Sequence, residues 1–77
     1  MYPKEIQDRT LNAFNDLLNS ELIKLRFICM KNSDGSFGII TRSDALNGIY
    51  EIMNRDSKTC HKYKTAVEMV SDGWVVD

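Results

Sequence analysis

Two apolar runs that meet at Asn32-Ser33-Asp34-Gly35 constrain this chain more than any other feature. Over residues 21–31, Ile23, Leu25, Phe27 and Cys29 alternate with Lys24, Arg26, Ile28 and Met30, the period of a strand. Phe37-Gly38-Ile39-Ile40-Thr41 reads as the returning strand. Asp-Gly suits the positive φ values of a tight turn, so the two runs predict an antiparallel hairpin. With Asp-Gly at the turn, Ile23, Leu25, Phe27, Cys29 and Ile40 share one face. Ile28, Met30, Phe37 and Ile39 share the other, with Lys24 and Arg26 toward its far end. Both faces are then partly apolar, unlike an antiparallel sheet with one wet side. Either helices or the chain termini cover both faces, or one patch stays open to meet a partner or a second copy of the chain.

The rest of the chain supplies the covering elements. Pro3 suits the first turn of a helix, and residues 3–19 carry Ile6, Ala13, Phe14 and Leu17 on one stripe. Leu11 and Leu18 widen that stripe beyond what docking on a small sheet needs, so one of them is surplus. Leu46, Ile49, Tyr50 and Met53 follow the i, i+3, i+4, i+7 rule and predict a helix over residues 44–55. Thr41 or Ser43 would cap it, and Glu51 with Arg55 would pair on its polar side. Residues 56–64 fit either a loop or a short strand. Thr65-Ala66-Val67-Glu68 is a capping box that starts a helix at Ala66, Asp72-Gly73 stops it, and Trp74-Val75-Val76 is a final strand. The expected order is α-β-β-α-(β)-α-β: one α+β domain, residues 1–77, with an antiparallel or mixed sheet of three to four strands and helices packed on it. A chain this short offsets its ordering entropy by burial with little to spare.

Charge narrows the partners. The formal net charge is -1, which gives no overall basic field for nucleic acid or anionic membrane. Within residues 21–64, however, eight basic side chains stand against five acidic ones. The densest cluster runs from Arg55 to Lys64, where Lys58, Lys62 and Lys64 could meet phosphates and Tyr63 could stack on a base. The alternative is a solvated connection, and no recognition-helix or zinc-finger pattern accompanies the cluster. Two cysteines, Cys29 and Cys60, are too few for a disulfide framework, and no apolar run approaches a membrane span. The expected setting is a reducing cytoplasm.

No catalytic, metal or cofactor set emerges. Cys60 and His61 are adjacent, which in a strand sends them to opposite faces and in a helix splays them apart. One histidine and two cysteines fall short of a zinc site without a carboxylate. Gly35 and Gly38 belong to the hairpin, Gly38 as a bulge or a close-packing point, and form no phosphate loop.

Asp34-Gly35-Ser36-Phe37-Gly38-Ile39-Ile40-Thr41-Arg42-Ser43-Asp44-Ala45-Leu46 resembles the strand–turn–strand–helix core of the cystathionine-β-synthase domain family. That resemblance implies an adenosine-nucleotide site in which Thr41 and Asp44 hold a ribose or phosphate. The strand before it lacks the family's valine-rich run ending in aspartate, and no tandem copy follows.

Taken together, these residues predict a non-enzymatic binding protein that meets another macromolecule, foremost a protein or a second copy of itself. The expected surface is Ile28, Met30, Phe37 and Ile39, rimmed by Lys24 and Arg26. A composition rich in Lys, Asn, Ile and Met and poor in Pro fits an AT-rich genome such as that of a bacteriophage or mobile element. Inhibitors and regulators are frequent among small proteins of such origin.

Overall fold

The hairpin forms, but in a different register from the one Asp-Gly suggests. In the computed structural model, which describes all 77 residues, β1 (Phe27–Asn32) pairs antiparallel with β2 (Phe37–Thr41). The Asn32 N–H donates to the Ser36 carbonyl at 2.8 Å, and the Gly35 N–H donates to the Asn32 carbonyl at 2.9 Å. Three residues, Ser33 to Gly35, therefore make the connection, with Gly35 at φ +94. A three-residue loop ending in a left-handed glycine shifts the pairing by one position relative to a two-residue turn. Cys29 consequently faces Ile39, and Ile28 faces Ile40. The shift separates the predicted surface set: Ile28 and Met30 lie on one face, Phe37 and Ile39 on the other.

The second correction concerns residues 44–55. Helix follows β2 only over α2 (Arg42–Leu46), and Tyr50–Asn54 is strand β3. Thr41 caps α2, its Oγ1 accepting from the Asp44 N–H at 3.1 Å. At the other end, the Gly48 N–H donates to the Ala45 carbonyl and the Ile49 N–H to the Asp44 carbonyl, with Gly48 at φ +70. This pair of bonds is a Schellman closure, and it stops the helix before Ile49. Tyr50, Ile52 and Asn54 then alternate with Glu51 and Met53, so the same residues satisfy a period of two. Residues 56–64 resolve into a turn and strand β4 (Cys60–Tyr63), paired with β3. Glu51 thus sits opposite Lys62 and is no longer one helical turn from Arg55.

The first helix, α1 (Lys4–Asn15), ends at Asp16, and the chain continues through 3-10 turns at Leu17–Asn19 and Glu21–Lys24. The expected strand over 21–31 therefore begins only at Phe27. Ser20 is the reason, since its Oγ accepts from the Leu22 N–H at 3.2 Å and opens a turn. Of the two surplus leucines, Leu18 is 73% exposed and Leu11 packs against the core. Near the C-terminus, α3 (Ala66–Ser71) starts as expected, with Thr65 Oγ1 accepting from the Glu68 N–H at 3.1 Å. The Glu68 carboxylate accepts from Lys64 rather than from Thr65, one residue away from the usual capping box. Strand β5 (Trp74–Val76) follows α3.

The class is α+β, with five antiparallel strands in the order β4-β3-β2-β1-β5. One sheet face carries Ile28, Met30, Ile40 and Ile52, all without solvent exposure. Phe14, Leu17, Leu22, Ala66, Met69, Val70 and Trp74 close over them from α1, the 3-10 turns, α3 and β5. Phe14 meets Tyr50 edge-on with ring centroids 6.0 Å apart. Gly38 is a close-packing point: a Cβ there would strike the Ile52 side chain and lie 3.2 Å from the Trp74 ring. No helix is long and apolar enough to cross a membrane.

Candidate functional site

Helices pack on one side of the sheet, and its other side is open. The register places Cys29, Ile39, Met53 and Cys60 in one row across β1, β2, β3 and β4. Phe27 and Phe37 stand on either side of this row, 54% and 42% exposed. Met53 is 40% exposed, both cysteines are exposed, and Ile39 is half-buried among them. The rim is polar: Lys31, Thr41, Glu51 and Lys62 lie on the same face by strand alternation. The Arg26 guanidinium rests 5.7 Å from the centroid of the Phe27 ring and borders the patch. Three strand spacings, roughly 14 Å, separate the two thiols, too far for an intrachain disulfide.

Each expected surface residue now has a definite place. Phe37 and Ile39 belong to the open face, and Arg26 lies at its edge. Ile28 and Met30 are fully buried and leave the surface set. Lys24 sits in a 3-10 turn outside the sheet and leaves it too. Phe27, Cys29, Met53 and Cys60 join, because the one-residue register shift exchanges the two faces and β3 replaces a helix.

Both edges of the sheet are guarded. At β5, the outward N–H of Val76 donates to Thr10 Oγ1 at 3.1 Å, and Thr10 is almost wholly buried. At β4, Lys62 and the following Lys64 place like charges along the edge. Near β5 the N-terminal segment also closes the open side. Tyr2 donates from its hydroxyl to the Asn32 carbonyl and lies beneath Lys31, 5.4 Å from its Nζ to the ring centroid. Val75, on the same side by register, is fully buried.

The basic segment does not assemble into a phosphate site. Lys58 lies in the β3–β4 turn at φ 62, Lys62 on the open face, and Lys64 beyond β4. Tyr63 is not free to stack. Its hydroxyl donates to Asp72 Oδ2 at 2.5 Å and accepts from Trp74 Nε1 at 3.0 Å. Burial pushes this phenol up to about 12; the bond to Asp72 adds to the rise and the Trp74 N–H opposes it. The relay ties β4 to the α3–β5 corner and keeps Tyr63 protonated. His61 lies opposite Ile52 on the helix side of the sheet, solvent-exposed and tilted against the Trp74 ring at 6.3 Å, while Cys60 lies on the open face.

Thr41 and Asp44 line a shallow hollow with Arg26, Arg42, Ser43 and Asn47. The Thr41 hydroxyl is engaged in capping α2, and Arg42 Nη1 donates to the Ile23 carbonyl at 2.9 Å. No three side chains among His, Cys, Asp and Glu converge where they could hold a metal ion. Compared with known proteins, the chain matches no family model, no curated protein and no solved structure.

Proposed function

We propose that this chain is a small non-enzymatic binding protein that docks another protein on the open face of its sheet. One observation supports this reading above the others. A 77-residue chain with a thin core keeps Phe27, Phe37 and Met53 between 40% and 54% exposed in one contiguous field. Scattered surface hydrophobics are ordinary, whereas a rimmed apolar patch of this kind marks an interaction site. A regulator or inhibitor carried by a bacteriophage or mobile element fits both the composition and this surface.

The test is affinity capture from cells that express the chain, comparing the native protein with Ile39→Asp and Val67→Asp. Val67 is exposed on α3, on the far layer. A partner retained by Val67→Asp and lost with a folded Ile39→Asp supports the reading. Equal recovery by all three refutes it.

A second reading is an adenosine-nucleotide module, for which the hollow beside Thr41 and Asp44 is the supporting feature. It is the weaker of the two, since the Thr41 hydroxyl is already committed and Asp44 adds negative charge.

A further inference from the structure

We propose that the open face takes an acidic, apolar segment of another protein, whose carboxylates are held at the Phe37 end by Lys31 and Arg55. This rests on the docking role proposed above and gives the chemistry of its partner.

The observation that carries it is a row of three side chains. Just past β3, the Arg55 N–H donates to the Phe37 carbonyl at 2.9 Å, which continues the β2–β3 pairing one position beyond Gly38 and Asn54. On its other side Phe37 is paired with Lys31. Lys31, Phe37 and Arg55 therefore stand side by side over three strands, all on the open face. Two cations lie two strand spacings apart, about 10 Å at the backbone, with a 42% exposed phenylalanine between them. The Tyr2 ring lies against the Lys31 ammonium and holds it at the face. In the turn beyond Arg55, Asp56 and Lys58 offset each other.

Charge is spread unevenly along the face. Glu51 and Asp44 border the slot beside Phe27 and Met53 at the α2 end, where Lys62 and Arg26 balance them. Asp77 lies beside Cys29, its N–H donating to the Cys29 carbonyl at 3.0 Å. The Phe37 row itself holds two cations and no carboxylate. A segment with two carboxylates flanking an apolar side chain matches that row: the apolar group packs on Phe37 and Ile39 while the acids reach the two cations. A nucleic-acid strand matches it less well, because its unbroken negative charge would meet Glu51, Asp44 and Asp77 farther along the face.

The same criterion separates this face from the other exposed apolar side chains. Leu18 and Leu46 border a hollow whose one charged residue is Asp16, and Val67 stands next to Glu68 on α3. Neither place offers paired cations to an acidic partner.

The test uses a fluorescent random copolymer of glutamate and tyrosine, with a lysine–tyrosine copolymer and single-stranded oligothymidylate as counterparts. Fluorescence anisotropy reads affinity. The reactivity of the exposed Cys29 and Cys60 with a small aromatic disulfide reagent reads occupancy of the face. The glutamate copolymer should bind, slow both thiols several-fold, and weaken as salt rises from about 50 to about 500 mM. Arg55→Glu, at an exposed position, should weaken binding about five- to tenfold. Lys24→Glu, the same change of charge in a 3-10 turn outside the sheet, should change it less than about twofold. No binding of the glutamate copolymer up to millimolar protein overturns the proposal. So does equal weakening by Lys24→Glu, since net charge alone would then explain the attachment. Equal or tighter binding of the lysine–tyrosine copolymer overturns it as well, and tighter binding of oligothymidylate does so in favour of a nucleic-acid site. If capture of a cellular partner depends on Ile39 yet is untouched by Arg55→Glu, the acidic chemistry falls and the docking role stands.

Discussion

Ile39 and Ile40 are neighbours in sequence on opposite faces of the sheet, and comparing their truncation tests the register directly. Ile40 has no solvent exposure and lies beside Ile28 in β1, so removing one methyl leaves a void that the surrounding side chains cannot fill completely. Ile40→Val should cost about 1 kcal/mol, and Ile40→Ala about 3 kcal/mol from three lost carbons plus the cavity. Ile39 borders the open face, where the lost methyl is replaced by water. Ile39→Val should cost at most about 0.5 kcal/mol, since no sealed cavity forms. A 77-residue domain has about 4–11 kcal/mol in total, so Ile40→Ala removes a large share of it. The assay is urea unfolding at low micromolar protein, followed by Trp74 fluorescence and far-ultraviolet circular dichroism. Ile40→Val should lower the midpoint with an unchanged slope, equivalent to about 4–8 °C in Tm. A two-residue Asp-Gly turn would exchange the faces and make Ile39 the costlier position. An Ile39→Val loss equal to or larger than that of Ile40→Val refutes the register and the open face built on it.

Further outcomes follow from single contacts. Gly38→Ala forces a Cβ against Ile52 and the Trp74 ring, and should cost about 1–3 kcal/mol in the same urea assay; an unchanged midpoint would contradict the close approach. Tyr63→Phe removes the relay between Asp72 and Trp74 and should cost about 1 kcal/mol near neutral pH. Because the folded phenol titrates near 12, above its unfolded value of 10.0, its contribution is complete below pH 10 and is lost as pH rises toward 12. The gap between native and Tyr63→Phe stabilities should therefore close over that range, and a gap that widens would reverse the assignment. AMP, ATP and S-adenosylmethionine at millimolar concentration should leave Tm unchanged, whereas stabilisation by any of them, lost in Thr41→Ala, would favour the nucleotide reading.

Several elements are legible from residues alone because their signals are local. The hairpin, the helix begun by Thr65 and Glu68, and the last strand each follow from a turn or cap within a few residues. The α+β class follows from the change of period between α1 and β1. The helix expected over 44–55 fails for an equally local reason: Leu46, Ile49, Tyr50 and Met53 fit one period, and Tyr50 to Asn54 fit another. The Schellman closure at Gly48 decides between them, and partner strands on both sides then hold β3.

The candidate site is less legible because it depends on pairing. The residues by themselves determined that a 77-residue α+β domain would have a hairpin with apolar side chains on both faces. Only the tertiary structure decided which face is core and which is open. Side chains alternate along a strand, so one residue more in the turn sends every partner to the opposite side. That single step buries Ile28 and Met30, leaves Phe37 and Ile39 outside, and brings Phe27, Cys29, Met53 and Cys60 beside them from three strands. Chain composition does not encode such a row, since its members meet only when β1 to β4 are laid in order.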